Sequence, residues 1–162
     1  MDIQIRHSHE SDIPQIFELY QQQSIYTNTL QLPFPSIEKW RKKLTEFSDV
    51  GYSLVAEVDG EIVGQLSIAV KQNPRQKHVA TLGMGVSEHV RGKGVGSKLL
   101  TSAMKLAQDW LAIKRIEIEV YTDNEAAIAL YKNCGFEVEG EAKYYAFRNG
   151  EYVNAYYMAA VI

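Results

Sequence analysis

The feature that most restricts the fold is a glycine-rich turn between a predicted strand and a predicted helix. The strand, His78–Val86, is apolar and becomes rich in small residues toward its end. The turn reads Arg91-Gly92-Lys93-Gly94-Val95-Gly96. Apolar residues then recur at helical spacing: Leu99, Leu100, Ala103, Met104, Ala107, Trp110 and Leu111. A strand, a crossover helix and a further strand predict a parallel pair within a mixed α/β fold.

The remaining segments extend this unit on both sides. Further strands are predicted at Ile3–Ile5, Leu54–Val58, Ile62–Val70 and Ile116–Val120, with a last hairpin around Asn149-Gly150. Further helices are predicted from Ser11 to Tyr20, after Ser36 through Leu44, and from Asn124 to Asn133 with Gly135 as terminator. The fold class is therefore α/β (α+β), with a mixed central sheet of about seven strands flanked by about four helices.

Length and charge restrict the organisation and the partners. The 162 residues fit a single domain, 1–162. The 17 basic and 20 acidic side chains give a net charge of −3, which argues against nucleic acid or an anionic membrane as a partner. Cys134 is the one cysteine, so neither an internal disulfide nor a cysteine metal site is expected. With no signal peptide and no long apolar run, the expected location is cytoplasmic.

The glycine-rich turn has the chemistry of an anion site. Unpaired N–H groups at a helix start attract anions, and glycines let a phosphate approach the backbone closely. Arg91 and Lys93 add positive charge, so a pyrophosphate fits. The turn is neither the nucleoside-triphosphate loop, which needs glycine at Ser87, nor the dinucleotide loop, which needs glycine at Ser97 or Leu99. The alternative is a loop that only turns the chain.

A second motif lies about thirty residues downstream. It runs Asn124-x-x-Ala127-x-x-x-Tyr131-x-x-x-Gly135-Phe136. Alone, Asn124 could simply cap the following helix and Tyr131 could simply belong to the core.

Together the two motifs resemble the GCN5-related N-acetyltransferase (GNAT) family, from about Ile3 to Met158. The resemblance implies an enzyme that uses acetyl-CoA as cosubstrate and no metal. It implies that the cofactor pyrophosphate binds at Arg91, Gly92, Lys93, Gly94, Val95 and Gly96. It implies that Met84, Gly85 and Val86 lie along the pantetheine arm, that Asn124 contacts this arm, and that Tyr131 donates a proton to the departing thiolate.

The segment Asn28–Pro33, Trp40 and the tail Arg148–Val153 are similar, more narrowly, to bacterial L-amino-acid N-acetyltransferases acting on phenylalanine and methionine. The resemblance thus implies direct transfer of the acetyl group to the amine of a small acceptor, an L-amino acid. The expected acceptor contacts are Tyr26, Leu30, Leu32, Phe34 and Tyr144; alternatively these residues pack the loop onto the body.

Three questions stay open at the level of sequence. The first question is which group acts as the general base. Many relatives carry a carboxylate for this role at the position of Thr81, and here Glu119, His78, Tyr26 or solvent could take its place. Other functions are a non-catalytic acyl-CoA-binding sensor, or acetylation of protein N-termini or of polyamines, for which Glu137, Glu139 and Glu141 give a weak acidic cluster. Relatives often form homodimers, but no segment here is assigned to an interface.

Overall fold

A computed structural model describes all residues from Met1 to Ile162, and its centre is one seven-stranded sheet. The strand order is β1-β2-β3-β4-β5-β7-β6. The strands are β1 (Gln4–His7), β2 (Gly51–Val58), β3 (Glu61–Val70), β4 (Val79–Val86), β5 (Arg115–Tyr121), β6 (Glu137–Arg148) and β7 (Glu151–Val161). Neighbours are antiparallel except β4 and β5, which are parallel. The predicted mixed sheet and its parallel pair are confirmed.

Five helices accompany the sheet, one more than expected from the sequence. They are α1 (Ile13–Tyr20), α2 (Gln23–Tyr26), α3 (Ile37–Phe47), α4 (Val95–Trp110) and α5 (Glu125–Asn133). The additional helix, α2, is a single turn with one buried residue, Ile25, so it carries too little apolar periodicity to be recognised in the sequence. No helix is both long and apolar enough to cross a membrane.

Two hydrophobic cores lie on opposite faces of the sheet. The larger core includes Leu99 of α4 together with Leu54 and Ala56 of β2. The smaller core includes Trp40 of α3 and Val55 of β2. Because successive strand residues point to opposite faces, α4 covers one face while α1 and α3 cover the other.

The element ends follow local signals in the sequence. The Ser36 hydroxyl accepts a bond from the Lys39 N–H at 3.3 Å and so caps α3. The Asn124 side chain accepts a bond from the Ala127 N–H at 3.3 Å and caps α5. Asn149 and Gly150 have φ values of 50° and 80°, as a tight type I′ turn between β6 and β7 requires.

One residue of the expected apolar helix face is placed differently. Trp110 is 81% exposed at the last position of α4. The chain turns back beneath this last turn, where the Ile113 N–H donates to the Ala107 carbonyl at 3.0 Å. Ile113 is fully buried there and belongs to the larger core, whereas Trp110 does not.

The parallel strands β4 and β5 separate soon after they meet. Their pairing covers Val79–Thr81 and Arg115–Glu117 only, whereas β4 continues to Val86 and β5 to Tyr121. Beyond Thr81, the edge of β4 that faces β5 therefore has no strand partner. This divergence opens the sheet at its centre.

Candidate active site

A cleft of about 770 Å³ occupies the opening between β4 and β5. Its lining includes Gly96 and Tyr131 from α4 and α5, and also Trp40 and Gln65 from α3 and β3. Since α4 and α3 cover opposite faces of the sheet, the cleft is lined from both faces. We call the part near α4 and α5 the donor half. The part near α1 and α3, lined by Tyr20, Trp40, Lys43, Gln65 and Ser67, is the acceptor half.

The glycine-rich turn forms one end of the donor half. Gly92 and Gly94 have φ values of 73° and 85°, a conformation that favours glycine, and Gly94 is the N-cap of α4. A Cβ atom at either residue would meet no protein atom within 4 Å. Space over the turn is therefore open, and the backbone N–H groups of Val95 and Gly96 donate to no protein acceptor. Open space beside unpaired N–H groups fits a bound anion.

Gly96, the third glycine of the turn, allows close packing between two helices. A Cβ atom at Gly96 would lie 3.1 Å from Leu130 Cδ2, so glycine lets α5 approach the start of α4. Met84, Gly85 and Val86 of β4 line the cleft beside it.

The two cationic side chains of the turn are placed differently. Arg91 lines the cleft, and its Nη2 donates to the Ser24 carbonyl of α2 at 3.1 Å. Lys93 is exposed and is not among the residues that line the cleft. The structure thus brings Met84, Gly85, Val86, Arg91, Gly92, Gly94, Val95, Gly96, Asn124 and Tyr131 together around one cleft, and leaves Lys93 at its margin.

Tyr131 presents a free hydroxyl to the cleft. Its residue exposure is only 7%, and its ring lies 5.5 Å from the Phe136 ring. The hydroxyl has no hydrogen bond within the protein. It is nevertheless not a fully buried polar atom without a partner, because Ser24 Oγ is the sole side-chain atom of that kind. The Tyr131 oxygen is therefore reached from the cleft. Burial raises the pKa of Tyr131 to about 12, so the group is a neutral proton donor near pH 7.

The acceptor half rests on a buried polar network that the sequence motifs do not predict. Tyr20 donates its hydroxyl proton to Gln65 Oε1 at 2.6 Å, and Gln65 Nε2 donates to Ser67 Oγ at 2.7 Å and to Ser53 Oγ at 3.0 Å. Gln65 is 1% exposed and lies inside the apolar run of β3. A glutamine within an apolar strand is the one signal in the sequence for this network, because a buried polar side chain needs hydrogen-bond partners. We call Gln65 and its partners the floor of the cleft.

The expected acceptor contacts are only partly assembled. Leu30 lines the cleft, while Tyr26, Leu32, Phe34 and Tyr144 do not. Leu32 and Phe34 are 77% and 98% exposed, and Tyr144 stacks on Tyr152 with ring centroids 5.0 Å apart. The aromatic wall is instead supplied by side chains from other elements: Tyr20, Trp40, Tyr121 and Tyr145.

Among the candidate bases, Glu119 alone lines the cleft. Ile118 and Val120 belong to the α4 core, so Glu119 points to the acceptor side. Thr81, His78 and Tyr26 are not in the cleft wall. Burial alone would raise the pKa of Glu117, but hydrogen bonds from Lys71 and Arg115 hold it below its ordinary value. Glu117 is therefore a paired structural carboxylate.

A clasp holds the loop Thr27–Gln31 to the wall of the acceptor half. Tyr121 donates its hydroxyl proton to the Thr29 carbonyl at 2.9 Å. Arg148, at the end of β6, donates to the Thr27 carbonyl at 3.2 Å, pairs with Asp123 and lies 4.8 Å from the Tyr121 ring centroid. Two separated segments, the end of β5 and the end of β6, thus fix the loop whose residues Asn28–Gln31 line the cleft.

Known proteins resemble this chain in sequence along most of its length. Residues 13–136 match the profile of the acetyltransferase (GNAT) family. The chain is 44% identical over 160 residues to the L-amino acid N-acetyltransferase AaaT of Escherichia coli strain K12, covering 99% of this chain and 98% of that protein. It is 38% identical over 117 residues to an N-alpha-acetyltransferase of Sulfurisphaera tokodaii, covering 65% of this chain and 66% of the relative.

Solved structures show the same architecture. A GNAT-family acetyltransferase from Streptococcus pneumoniae superposes with a TM-score of 0.87 at 26% identity, covering 99% of each chain. A ribosomal-protein-alanine N-acetyltransferase from Brucella melitensis gives a TM-score of 0.88 at 26% identity, covering 98% of this chain and 99% of that one.

Proposed function

The chain belongs to the GNAT acetyltransferase family and is an N-acetyltransferase, and we propose that it moves the acetyl group of acetyl-CoA onto the α-amine of an L-amino acid. The observation that carries the proposal is the likeness, along nearly the full chain, to the Escherichia coli L-amino acid N-acetyltransferase. The cleft supports it, since one opening is lined by residues from both faces of the sheet, which suits two substrates that meet at its centre.

The donor half fits acetyl-CoA, which supplies the acetyl thioester when bound. The N–H groups at the start of α4 and the positive-φ glycines Gly92 and Gly94 offer a cradle for the pyrophosphate. Arg91, anchored on the Ser24 carbonyl, adds a fixed positive charge beside this cradle. The unpaired edge of β4 at Met84, Gly85 and Val86 offers backbone donors and acceptors to the pantetheine amides.

Two side chains handle protons in this proposal. Glu119, a carboxylate without an ion-pair partner in the acceptor half, takes the proton that the ammonium of the acceptor must lose before it attacks, directly or through water. Tyr131, a neutral phenol near pH 7 whose hydroxyl has no partner in the protein, donates its proton to the departing thiolate. General acid–base help of this kind accelerates reactions by about 10²–10⁴-fold. Holding the amine and the thioester together supplies much of the rest.

The other functions fit the cleft less well. A sensor that only binds acyl-CoA has no use for the free Tyr131 hydroxyl. A polyamine would favour several free carboxylates, but Glu139 is paired with Arg115 and Glu141 accepts from Asn154 Nδ2 at 3.2 Å, and neither lines the cleft. A protein N-terminus would favour an open groove, whereas the clasp fastens the Thr27–Gln31 loop to the cleft wall.

The test is thiol release from acetyl-CoA with a panel of acceptors: apolar L-amino acids and their D-enantiomers, spermidine, and short peptides. We expect the highest kcat/KM with apolar L-amino acids, because the cleft wall is aromatic and apolar. Release with spermidine or peptides but with no amino acid would overturn the proposed acceptor. Measurable acetyl-CoA binding without release for any acceptor would instead favour the sensor.

A further inference from the structure

The charged side chains of the cleft are few and lie at separate places. Lys43 and Arg91 are its only cations, and Glu119 is its only anion. Arg91 belongs to the glycine-rich turn in the donor half. The acceptor half therefore presents one positive and one negative group to whatever amine binds there.

We propose that Lys43 binds the α-carboxylate of the acceptor, so that the acceptor half recognises a free amino acid as a zwitterion. This inference rests on the proposed function and adds the residue that selects amino acids over other amines. In this arrangement the carboxylate faces Lys43, and the α-amine gives its proton to Glu119 directly or through water. A polyamine offers no anion to Lys43, and a peptide N-terminus has an amide in place of the carboxylate.

The Lys43 ammonium is held over a rigid platform. Its Nζ lies 4.7 Å from the centroid of the Trp40 ring, within range of a cation–π interaction. Trp40 is 5% exposed and stacks on Tyr20 with ring centroids 4.4 Å apart. Tyr20 is in turn fixed by its hydrogen bond to Gln65 in the floor of the cleft. A continuous chain of contacts thus connects the Lys43 ammonium, through the rings of Trp40 and Tyr20, to Gln65.

Lys43 also lacks the carboxylate partner that its neighbours on α3 have. Arg41 pairs with Glu10 at 3.4 Å and Lys42 pairs with Glu46 at 3.7 Å, while Lys43 pairs with no acidic group within 4.0 Å. Its side chain still reaches solvent, but desolvation of the amine lowers the pKa of Lys43. A partly desolvated cation without a counter-ion gains from an incoming carboxylate, which makes a charge-assisted hydrogen bond.

The experiment compares L-phenylalanine with L-phenylalaninamide, which has the same side chain and no carboxylate charge. Lys43→Met removes the ammonium and keeps an unbranched apolar chain on Trp40. We expect it to raise KM for phenylalanine by about tenfold, the effect of a partly exposed charge-assisted bond, with kcat within about twofold. The KM for the amide should stay unchanged, and Lys43→Arg should retain the preference for the acid.

Lys39→Met is the matched control, because Lys39 is an exposed lysine of the same helix that does not line the cleft. Its KM values for acid and amide should both equal those of the wild type. If Lys43→Met raised both KM values equally, Lys43 would only shape the pocket and the inference would be wrong. Wild-type enzyme that released no thiol with any L-amino acid would instead refute the proposed function itself.

Discussion

Replacing Gly94 with alanine should weaken acetyl-CoA binding in addition to lowering the free energy of unfolding. Gly94 has φ 85° and ψ 0° at the N-cap of α4, a left-handed conformation that disfavours any residue with a Cβ atom. The added Cβ would meet no protein atom within 4 Å, so steric crowding adds nothing to this strain. The expected loss in free energy of unfolding is about 1–2 kcal/mol. A domain with the usual 5–15 kcal/mol of stability stays folded after such a loss.

Gly60 provides a matched control for this strain. It has φ 83°, and a Cβ atom there would also meet nothing within 4 Å. It lies in the turn between β2 and β3 and does not line the cleft. Gly60→Ala and Gly94→Ala should therefore lose similar free energies of unfolding, measured by urea denaturation.

Only Gly94→Ala adds a methyl group to the open space where the proposed pyrophosphate would lie. We expect its Kd for acetyl-CoA, measured by isothermal titration calorimetry, to rise at least tenfold, which corresponds to about 1.4 kcal/mol. Gly60→Ala should bind acetyl-CoA like the wild type. Equal destabilisation of both variants with unchanged affinity in both would refute the assignment of this turn to the pyrophosphate.

Further variants test the remaining parts of the site. Tyr131→Phe should lower kcat by about 10²-fold or more with little change in the Kd for acetyl-CoA, and an unchanged kcat would remove Tyr131 from the mechanism. Because burial raises the pKa of Tyr131 from 10.0 to about 12, its contribution to stability is complete below pH 10 and is lost as the pH rises toward 12; urea denaturation should show a smaller alkaline loss in Tyr131→Phe than in the wild type. Asn124→Ala should lower the free energy of unfolding by about 1 kcal/mol because α5 loses its cap, and a neutral result would contradict the capping role. Arg148→Met should raise KM for the acceptor while the Kd for acetyl-CoA stays constant, since it releases the Thr27–Gln31 loop; a change in the cofactor Kd alone would contradict this.

The parts of the fold that the sequence predicts well have short-range causes. The helix caps at Ser36 and Asn124, the turn at Asn149-Gly150 and the strand before the glycine-rich turn are each specified by residues a few positions apart. Most of the donor half comes from one strand, one turn and one helix start that are close in sequence, while Asn124 and Tyr131 come from α5, further along the chain. Local patterns predict the first group, but the second is expected only from the resemblance of the two motifs together.

The acceptor half is assembled from distant segments, and the sequence does not reveal it. Gln65 and Tyr20, which form a hydrogen bond, are 45 positions apart in the chain. In the sequence, Lys43 looks like any lysine on the exposed face of a helix. The exposed Leu32 and Phe34 show the converse error, since apolar character alone does not place a loop residue in a pocket. The packing of α1 and α3 on one face of the sheet, beside β5 and β6, brings the acceptor side chains together.

The early separation of β4 and β5 favours direct transfer over a covalent enzyme intermediate. Since the cleft is lined from both faces of the sheet, the two substrates of the proposed reaction fit side by side at one strand edge, and no group of the protein needs to carry the acetyl between two sites. The one cysteine is unsuited to that task. Cys134 is half-buried, burial raises the pKa of its thiol, and it does not line the cleft. Glu119 and Tyr131 do line the cleft, and a carboxylate and a phenol are suited to taking and giving the protons that the proposed attack of an amine on a thioester requires.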